Sequence, residues 1–171
     1  MTTAEILLAL VTVQRGLELV LARRNTAQLK ARGAVEIASS HYPLLVALHA
    51  SWLASLWVFG HDQPVNPVVL LAYLLLQVLR VWVMATLGSR WTTRIIVLAN
   101  APLVTSGPYR YLRHPNYAVV AGEIAALPLT LHLPGIALFF TILNALVLFI
   151  RIRAENRGLA SWRALSEERA T

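Results

Sequence analysis

A chain of 171 residues with 57% hydrophobic and only 13% charged residues is too apolar for an ordinary soluble domain and too short for two large ones, so one compact membrane domain over residues 1–171 is expected. It contains no cysteine, which excludes disulfides, thiolate metal sites and a cysteine nucleophile. Its formal charge of +7 raises nucleic acid as a partner, but the placement of the basic residues argues for membrane topology instead.

Five apolar segments follow one another: Thr3–Ala22, His41–Gly60, Pro64–Leu87, Tyr117–Leu131 and Pro134–Ile150. A helix needs about 20 residues to cross a bilayer, and the last two segments are short. They are joined by Leu131-His132-Leu133-Pro134-Gly135, a tight-turn signal that reads as a helical hairpin crossing with some local thinning. Gln14, Arg15 and Glu18 interrupt the first segment; Arg15 and Glu18 are three apart and share a helix face. The start carries Glu5 and lacks a basic cluster or small-residue cleavage site, so it reads as a retained anchor and not as a signal peptide. The tail after Ala160, with Trp162 among charges, reads as a cytoplasmic or interfacial helix. The expected fold is therefore an all-α membrane protein of about five transmembrane helices with a cytoplasmic site.

Charge placement orients it. Arg23, Arg24, Lys30 and Arg32 follow the first segment, Arg90, Arg94, Arg110 and Arg113 the third, and Arg151, Arg153, Arg157, Arg163 and Arg169 the fifth. The turns Gly60 to Gln63 and Leu131 to Gly135 hold no Lys or Arg. The positive-inside rule then places the N-terminus outside and the C-terminus in the cytoplasm, in the inner membrane. Within that frame Arg15, Arg80 and Glu123 all fall roughly 10 Å below the cytoplasmic boundary. Ionisable groups at such depth face one another or a wet cavity, so an Arg80–Glu123 ion pair with Arg15 and Glu18 beside it is expected to floor a polar cavity. Plain interhelical ties are the equal alternative.

Between the apolar segments stands Gly107-Pro108-Tyr109-Arg110-Tyr111-Leu112-Arg113-His114-Pro115-Asn116-Tyr117. Pro115 holds His114 extended and suits the first position of a helix. That helix start presents free N–H groups and the positive dipole end, with Arg113 and His114 as donors beside it. An aromatic and basic headgroup belt is the competing reading of the tyrosines and arginines. Glu155 and Asn156 weigh against it, because they return acceptors to this face among Arg151, Arg153 and Arg157; pairing of Glu155 with Arg151 along the helix is the plainer alternative.

The run from Gly107 to Tyr117, followed by a hairpin and Arg151 to Glu155, resembles the isoprenylcysteine carboxyl methyltransferase family of integral-membrane methyltransferases. Gln14-Arg15, Glu18-Leu19, Arg23-Arg24-Asn25, Gly33-Ala34-Val35-Glu36, His41-Tyr42-Pro43 and Trp91-Thr92-Thr93 are similar to its bacterial subgroup associated with lipid-tailed alkylpyrones and alkylresorcinols. The resemblance implies S-adenosylmethionine as cofactor, bound by Tyr109, His114, Tyr117, Glu155 and Asn156. The family usually shows two adjacent Glu residues where this chain has Glu155-Asn156, which leaves any role for a second charge open. No Gly-x-Gly-x-x-Gly follows a strand, so a bound cofactor must lie among membrane helices.

Methyl transfer from a sulfonium is an in-line displacement that demands alignment and exclusion of water. A carboxylate acceptor, as in a prenylcysteine, is already ionised, and Arg113 or Arg153 is the expected orienting residue. A phenol or enol needs a base; His49, roughly 12 Å inside its segment, is a candidate, although a histidine bonded between helices is the commoner case. His41 lies nearer the interface and fits either role. The histidine spacing demands no metal. Lipophilic or prenylated substrates are expected to enter sideways from the bilayer, past Trp52, Trp57, Trp82 and the Phe139-Phe140 pair, although lipid-facing or core packing is the commoner role of each. Two other functions compete: a lipid-binding or carrier protein using its basic rim for membrane lipids, and an NADPH-dependent membrane reductase, whose similar Arg-His-Pro-x-Tyr region belongs to much longer chains.

Overall fold

A computed structural model of the protein describes residues 1–37, 39–98, 101–102 and 104–168, with side chains through residue 158 except that of residue 41. The expectations for the His41 side chain, Trp162, Arg163 and Arg169 lie outside what is described. Five α-helices account for most of the chain: α1 (Thr3–Ala31), α2 (Tyr42–Gly60), α3 (Pro67–Leu87), α4 (Pro115–Thr130) and α5 (Pro134–Glu168). The loops after α1 and α3 meet in a two-residue antiparallel pair, β1 (Val35–Glu36) with β2 (Ile96–Val97), in which Val35 faces Val97 and Glu36 faces Ile96.

The helix ends follow local chemistry. Thr2 and Glu5 form a capping box at the start of α1. Asn66 caps α3 by accepting from the N–H groups of Val68 and Val69, with Pro67 in the first turn. Two helices are longer than the apolar runs suggest. α1 continues past Ala22 to Ala31 because nothing from Arg23 to Lys30 breaks a helix; Gly33, at φ +84°, takes the left-handed conformation that ends it. α5 likewise passes Ile150 without interruption, so the expected separate C-terminal helix is the continuation of the same rod. α3 begins at Pro67, not Pro64.

The expectation of five spans is corrected in number. Among the described residues three stretches are long and apolar enough to cross a membrane: Tyr42–Gly60, Pro67–Arg90 and Pro134–Gly158. α4 has only 16 residues, and Glu5, Arg15 and Glu18 charge the apolar half of α1. Only 17–28% of the three stretches is buried, so their apolar side chains face outward, as lipid-facing helices require. α1 shares this pattern: Ile6, Leu10, Val13, Leu17 and Val20 point outward, while Leu8, Val11, Glu18, Ala22, Asn25 and Leu29 point inward at three- and four-residue steps.

Inside lie two apolar clusters. One joins Leu8, Trp52, Leu56, Tyr73, Ile124, Leu127 and Phe140; the other joins Ala22, Val83 and Trp91, with Met84, Leu87 and Tyr109 against it. The helices cannot gain much from a hydrophobic effect when lipid is equally apolar, so packing and polar contacts must hold them. Gly122 supplies close packing: a Cβ there would lie 2.9 Å from Leu76 Cδ1, which brings α4 against α3.

Polar contacts supply the rest. Arg80 of α3 donates from Nε to Glu18 Oε1, from Nη2 to Glu18 Oε2 and from Nη1 to Glu123 Oε2, each at 2.6 Å. Arg15 donates from Nη1 to Glu18 and from Nη2 to Glu123, both at 2.9 Å. Gln77 donates to Glu123 Oε1 at 2.7 Å, and Gln14 bridges Glu18 and Gln77. The expected Arg80–Glu123 pair is therefore one edge of a two-arginine, two-glutamate cluster joining α1, α3 and α4. Buried charges tolerate this only while every partner is present.

Arg80→Ala strips both carboxylates of their shared donor and is expected to cost about 3–5 kcal/mol of stability. Arg80→Lys, which keeps the charge but not the fork, should fall between it and wild type. Thermal unfolding in detergent micelles checks this; an unchanged midpoint for Arg80→Ala contradicts it.

Candidate functional site

A cavity of about 330 Å³ opens above the ionic cluster. Arg15, Glu18 and Arg80 form its polar end, α2 contributes Leu45, His49 and Trp52, and Asn116, Tyr117 and Arg151 close the opposite wall. Thr12, Gly16, Val46 and Ala50 line it while being exposed, so it reaches the outer surface between α1 and α2. A Cβ added at Gly16 would meet nothing within 4 Å, which marks open space beside it.

The loop between α3 and α4 is fastened from several sides. Asn25, buried in α1, donates to the Trp91 carbonyl at 2.8 Å. Arg94 lies 4.1 Å over the Tyr42 ring and pairs with Glu36, which also accepts from Lys30 at 2.7 Å. Burial opposes the charge on Glu36, but the hydrogen bonds from Lys30 and Arg94 outweigh it and hold the carboxyl below its ordinary range. The Thr93 carbonyl, so positioned, accepts from Arg151 Nη2 at 3.0 Å, and the Thr93 hydroxyl lies 3.2 Å from the Tyr42 hydroxyl.

Pro108 is buried behind Gly107, whose φ of +57° and contact with Thr86 leave no room for a side chain: a Cβ would sit 2.5 Å from Thr86 Oγ1. This turn sets Tyr109 against Ala22, Val83 and Trp91. Burial, and then the nearby Glu155 carboxylate, push the Tyr109 phenol up to about 12. His114 precedes α4, which begins at Pro115 as its sequence implies, and its ring stacks on Tyr117 with centroids 5.2 Å apart.

Tyr117 is the hub. Its hydroxyl donates to Glu155 Oε2 at 2.8 Å and accepts from Arg151 Nε at 2.9 Å. Glu155 and Arg151 are thus bridged by the phenol, where direct pairing along α5 was the plainer expectation. Of the expected cofactor residues, Tyr109, His114, Tyr117 and Glu155 gather on one side of this hub, and Asn156 is exposed next to Glu155. The two arginines expected to orient an acceptor lie elsewhere: Arg113 is exposed, and Arg153 sits 4.2 Å over the outward-facing Phe149. Neither lines the cavity. Arg151 does, and it is 5% exposed. Of the aromatic residues expected along the substrate path, only Trp52 lines the cavity; Phe140 is core, and Trp57, Trp82 and Phe139 face outward.

Arg151 was missed as an inward residue, yet a signal existed. Ala137, Phe140, Asn144, Val147 and Arg151 recur at three- and four-residue steps and are all buried, so the apolar phase of α5 points Arg151 inward. Thr93 and Asn116 carry no such signal, since one acts through its backbone and the other depends on the loop that aims it.

Among the residues that line the cavity, five fully buried polar atoms have no protein partner: Arg15 Nε, Trp52 Nε1, Trp91 Nε1, Arg151 Nη1 and Asn116 Oδ1. Buried polar groups are rarely left so, and four of the five are donors. No group of three or more metal-ligating side chains occurs among the described residues.

Outward apolar helix faces around an interior cavity with a charged end mark a helical, integral membrane protein. Residues 68–161 match the isoprenylcysteine carboxyl methyltransferase (ICMT) family, and the chain belongs to it. It is also 37% identical over 162 residues to the uncharacterized protein YpbQ of Bacillus subtilis (strain 168), covering 92% of this chain and 96% of that one. No solved structure matches it. Membership supports methyltransferase activity in general.

The clasp around Glu36 has a pH signature. Its carboxyl is held low in the fold, so the clasp contributes stability that is complete above the ordinary carboxylate range and is lost as the pH falls through the folded value. Glu36→Gln is expected to remove that contribution at neutral pH and to flatten the acid limb of stability against pH. Unfolding midpoints of both proteins between neutral and acid pH check this; parallel curves contradict it.

Proposed function

We propose that the protein is a single-domain, integral-membrane O-methyltransferase that uses S-adenosylmethionine to methylate an oxygen of a lipophilic acceptor. The observation that carries the reading is the position of Tyr117: one face belongs to the His114–Tyr109–Glu155 group and the other to an apolar-walled cavity with Arg15, Glu18 and Arg80 at its polar end. A cofactor on the first face and an acceptor in the second meet at this residue.

The residues present suit both partners. Glu155 offers a carboxylate to an ammonium or a ribose, Tyr109 and the stacked His114–Tyr117 pair offer flat walls, and Asn156 offers an amide in place of a second carboxylate. The bound cofactor supplies an electrophilic methyl group on a sulfonium. Arg151, fixed by Tyr117 and Thr93 on the cavity lining, orients the acceptor oxygen, a role assigned to it here in preference to Arg113 or Arg153. The bundle walls keep water from the reacting atoms. α1 and α4 lie in the membrane with the three apolar helices, α1 turning its charges inward, and the acceptor's tail reaches lipid between α1 and α2. The arginine-rich helix ends support a cytoplasmic position for this cofactor face and for the C-terminus.

Calorimetric titration of the purified protein with S-adenosylhomocysteine tests the reading. Saturable binding is expected, weakened at least tenfold by Glu155→Ala; absence of binding by folded wild-type protein overturns it, and NADPH run in parallel distinguishes the reductase. Gly16→Leu fills the slot between α1 and α2. It is expected to raise KM for long-tailed acceptors several-fold while leaving S-adenosylhomocysteine affinity unchanged; an unaltered KM contradicts lateral access there.

A further inference from the structure

The cavity holds one group that neither the ionic cluster nor the Tyr117 hub uses. His49 projects into it from α2, half-buried, with Nδ1 2.9 Å from the Leu45 carbonyl. A carbonyl can only accept, so Nδ1 carries the hydrogen and the neutral ring keeps its basic lone pair on Nε2. Among the described residues nothing donates to that lone pair.

The other titratable or charged groups on the lining are already engaged. From α1, Glu18 accepts four hydrogen bonds, from Gln14, Arg15 and twice from Arg80. Arg15 and Arg80, from α1 and α3, are cations tied to Glu18 and Glu123. Tyr42 of α2 is bonded to Thr93, and Tyr117 of α4 to Glu155 and to Arg151 of α5. Among the described lining residues, His49 is therefore the available acceptor for a proton released into this cavity. An acceptor that arrived as a carboxylate would leave His49 without a role.

On the methyltransferase reading above, we infer that His49 is a catalytic general base for an acceptor that enters the cavity as a protonated hydroxyl. The acceptor O–H proton passes to Nε2, and an oxygen electron pair forms the O–CH3 bond. The methyl–sulfur bond breaks with its electron pair remaining on sulfur, giving the neutral thioether, and the imidazolium returns its proton to water. Balance requires no other reactant.

The test uses full-length protein in detergent, S-adenosylmethionine, and long-chain alkylphenols whose ring substituents span acidities from fully protonated to fully ionised at the assay pH. His49→Asn retains an amide donor for the Leu45 carbonyl but has no base. It should slow transfer to the weakly acidic phenols by about 10²–10⁴-fold, leave the pre-ionised phenol within about threefold of wild type, and bind S-adenosylhomocysteine as wild type does. Equal loss across the series, or no loss, overturns the inference. Should the variant not fold, the pH dependence of wild type decides: a midpoint shared by all weakly acidic acceptors supports the base, and a midpoint that follows each acceptor's own acidity overturns it. Methylation of a long-chain carboxylate alone refutes the role of His49 but keeps the methyltransferase reading. Failure to bind S-adenosylhomocysteine removes both.

Discussion

The four-membered ionic cluster of Arg15, Glu18, Arg80 and Glu123 is the constraint from which the rest of the architecture follows. In lipid, an apolar helix surface gains little by leaving its surroundings, whereas an unpaired charge there is costly. The cluster converts that cost into geometry. α1 must turn Arg15 and Glu18 inward, α3 must present Arg80 between two carboxylates, and α4 must bring Glu123 to meet them. Removing any one member leaves others uncompensated, so the three helices have few alternative registers. The outward apolar faces then follow from the same helix rotations.

With the bundle fixed, the site is assembled from its loops. Gly107 admits the turn that seats Tyr109, Pro115 starts the helix that carries Tyr117, and the Asn25, Arg94 and Glu36 contacts hold Thr93 where Arg151 reaches it. The lower wall of the cavity is the ionic cluster and the upper wall is the Tyr117–Arg151 contact. Structural charges and reactive geometry thus share one space. Substitutions in the cluster should disturb the site through the fold, whereas changes at Glu155 or His49 should act on ligands.

Much of this was legible in the residues themselves. The depth of Arg80 and Glu123 within their apolar runs implied their pairing, because two opposite charges at one level of a membrane have few other solutions. Gln77 escaped notice and Gln14 was read only as an interruption of its segment: neutral amides leave no mark on a charge map, yet these two help saturate Glu18 and Glu123. The extents of α1 and α5 were underestimated because the change from apolar to charged residues marks a membrane boundary, not a helix end. Helix ends belong to Gly33 and to caps such as Asn66. Choosing between Arg151 and Arg153 required rotational phase. Two residues turn a helix by about 200°, so one faces the cavity and the other lipid. Thr93 was legible only as part of a similar loop, since its contribution is a carbonyl held by tertiary contacts.

The central claim is that a methyl donor on one side of Tyr117 meets a lipid-tailed oxygen on the other. The most direct measurement incubates the purified protein in lipid nanodiscs with methyl-labelled S-adenosylmethionine and lipid-tailed hydroxyl and carboxylate acceptors, then partitions the products between solvent and water. Label should pass into the organic phase, only when an acceptor is present, as an O-methyl group. Label retained entirely in the aqueous phase by folded protein that binds S-adenosylhomocysteine would contradict the account.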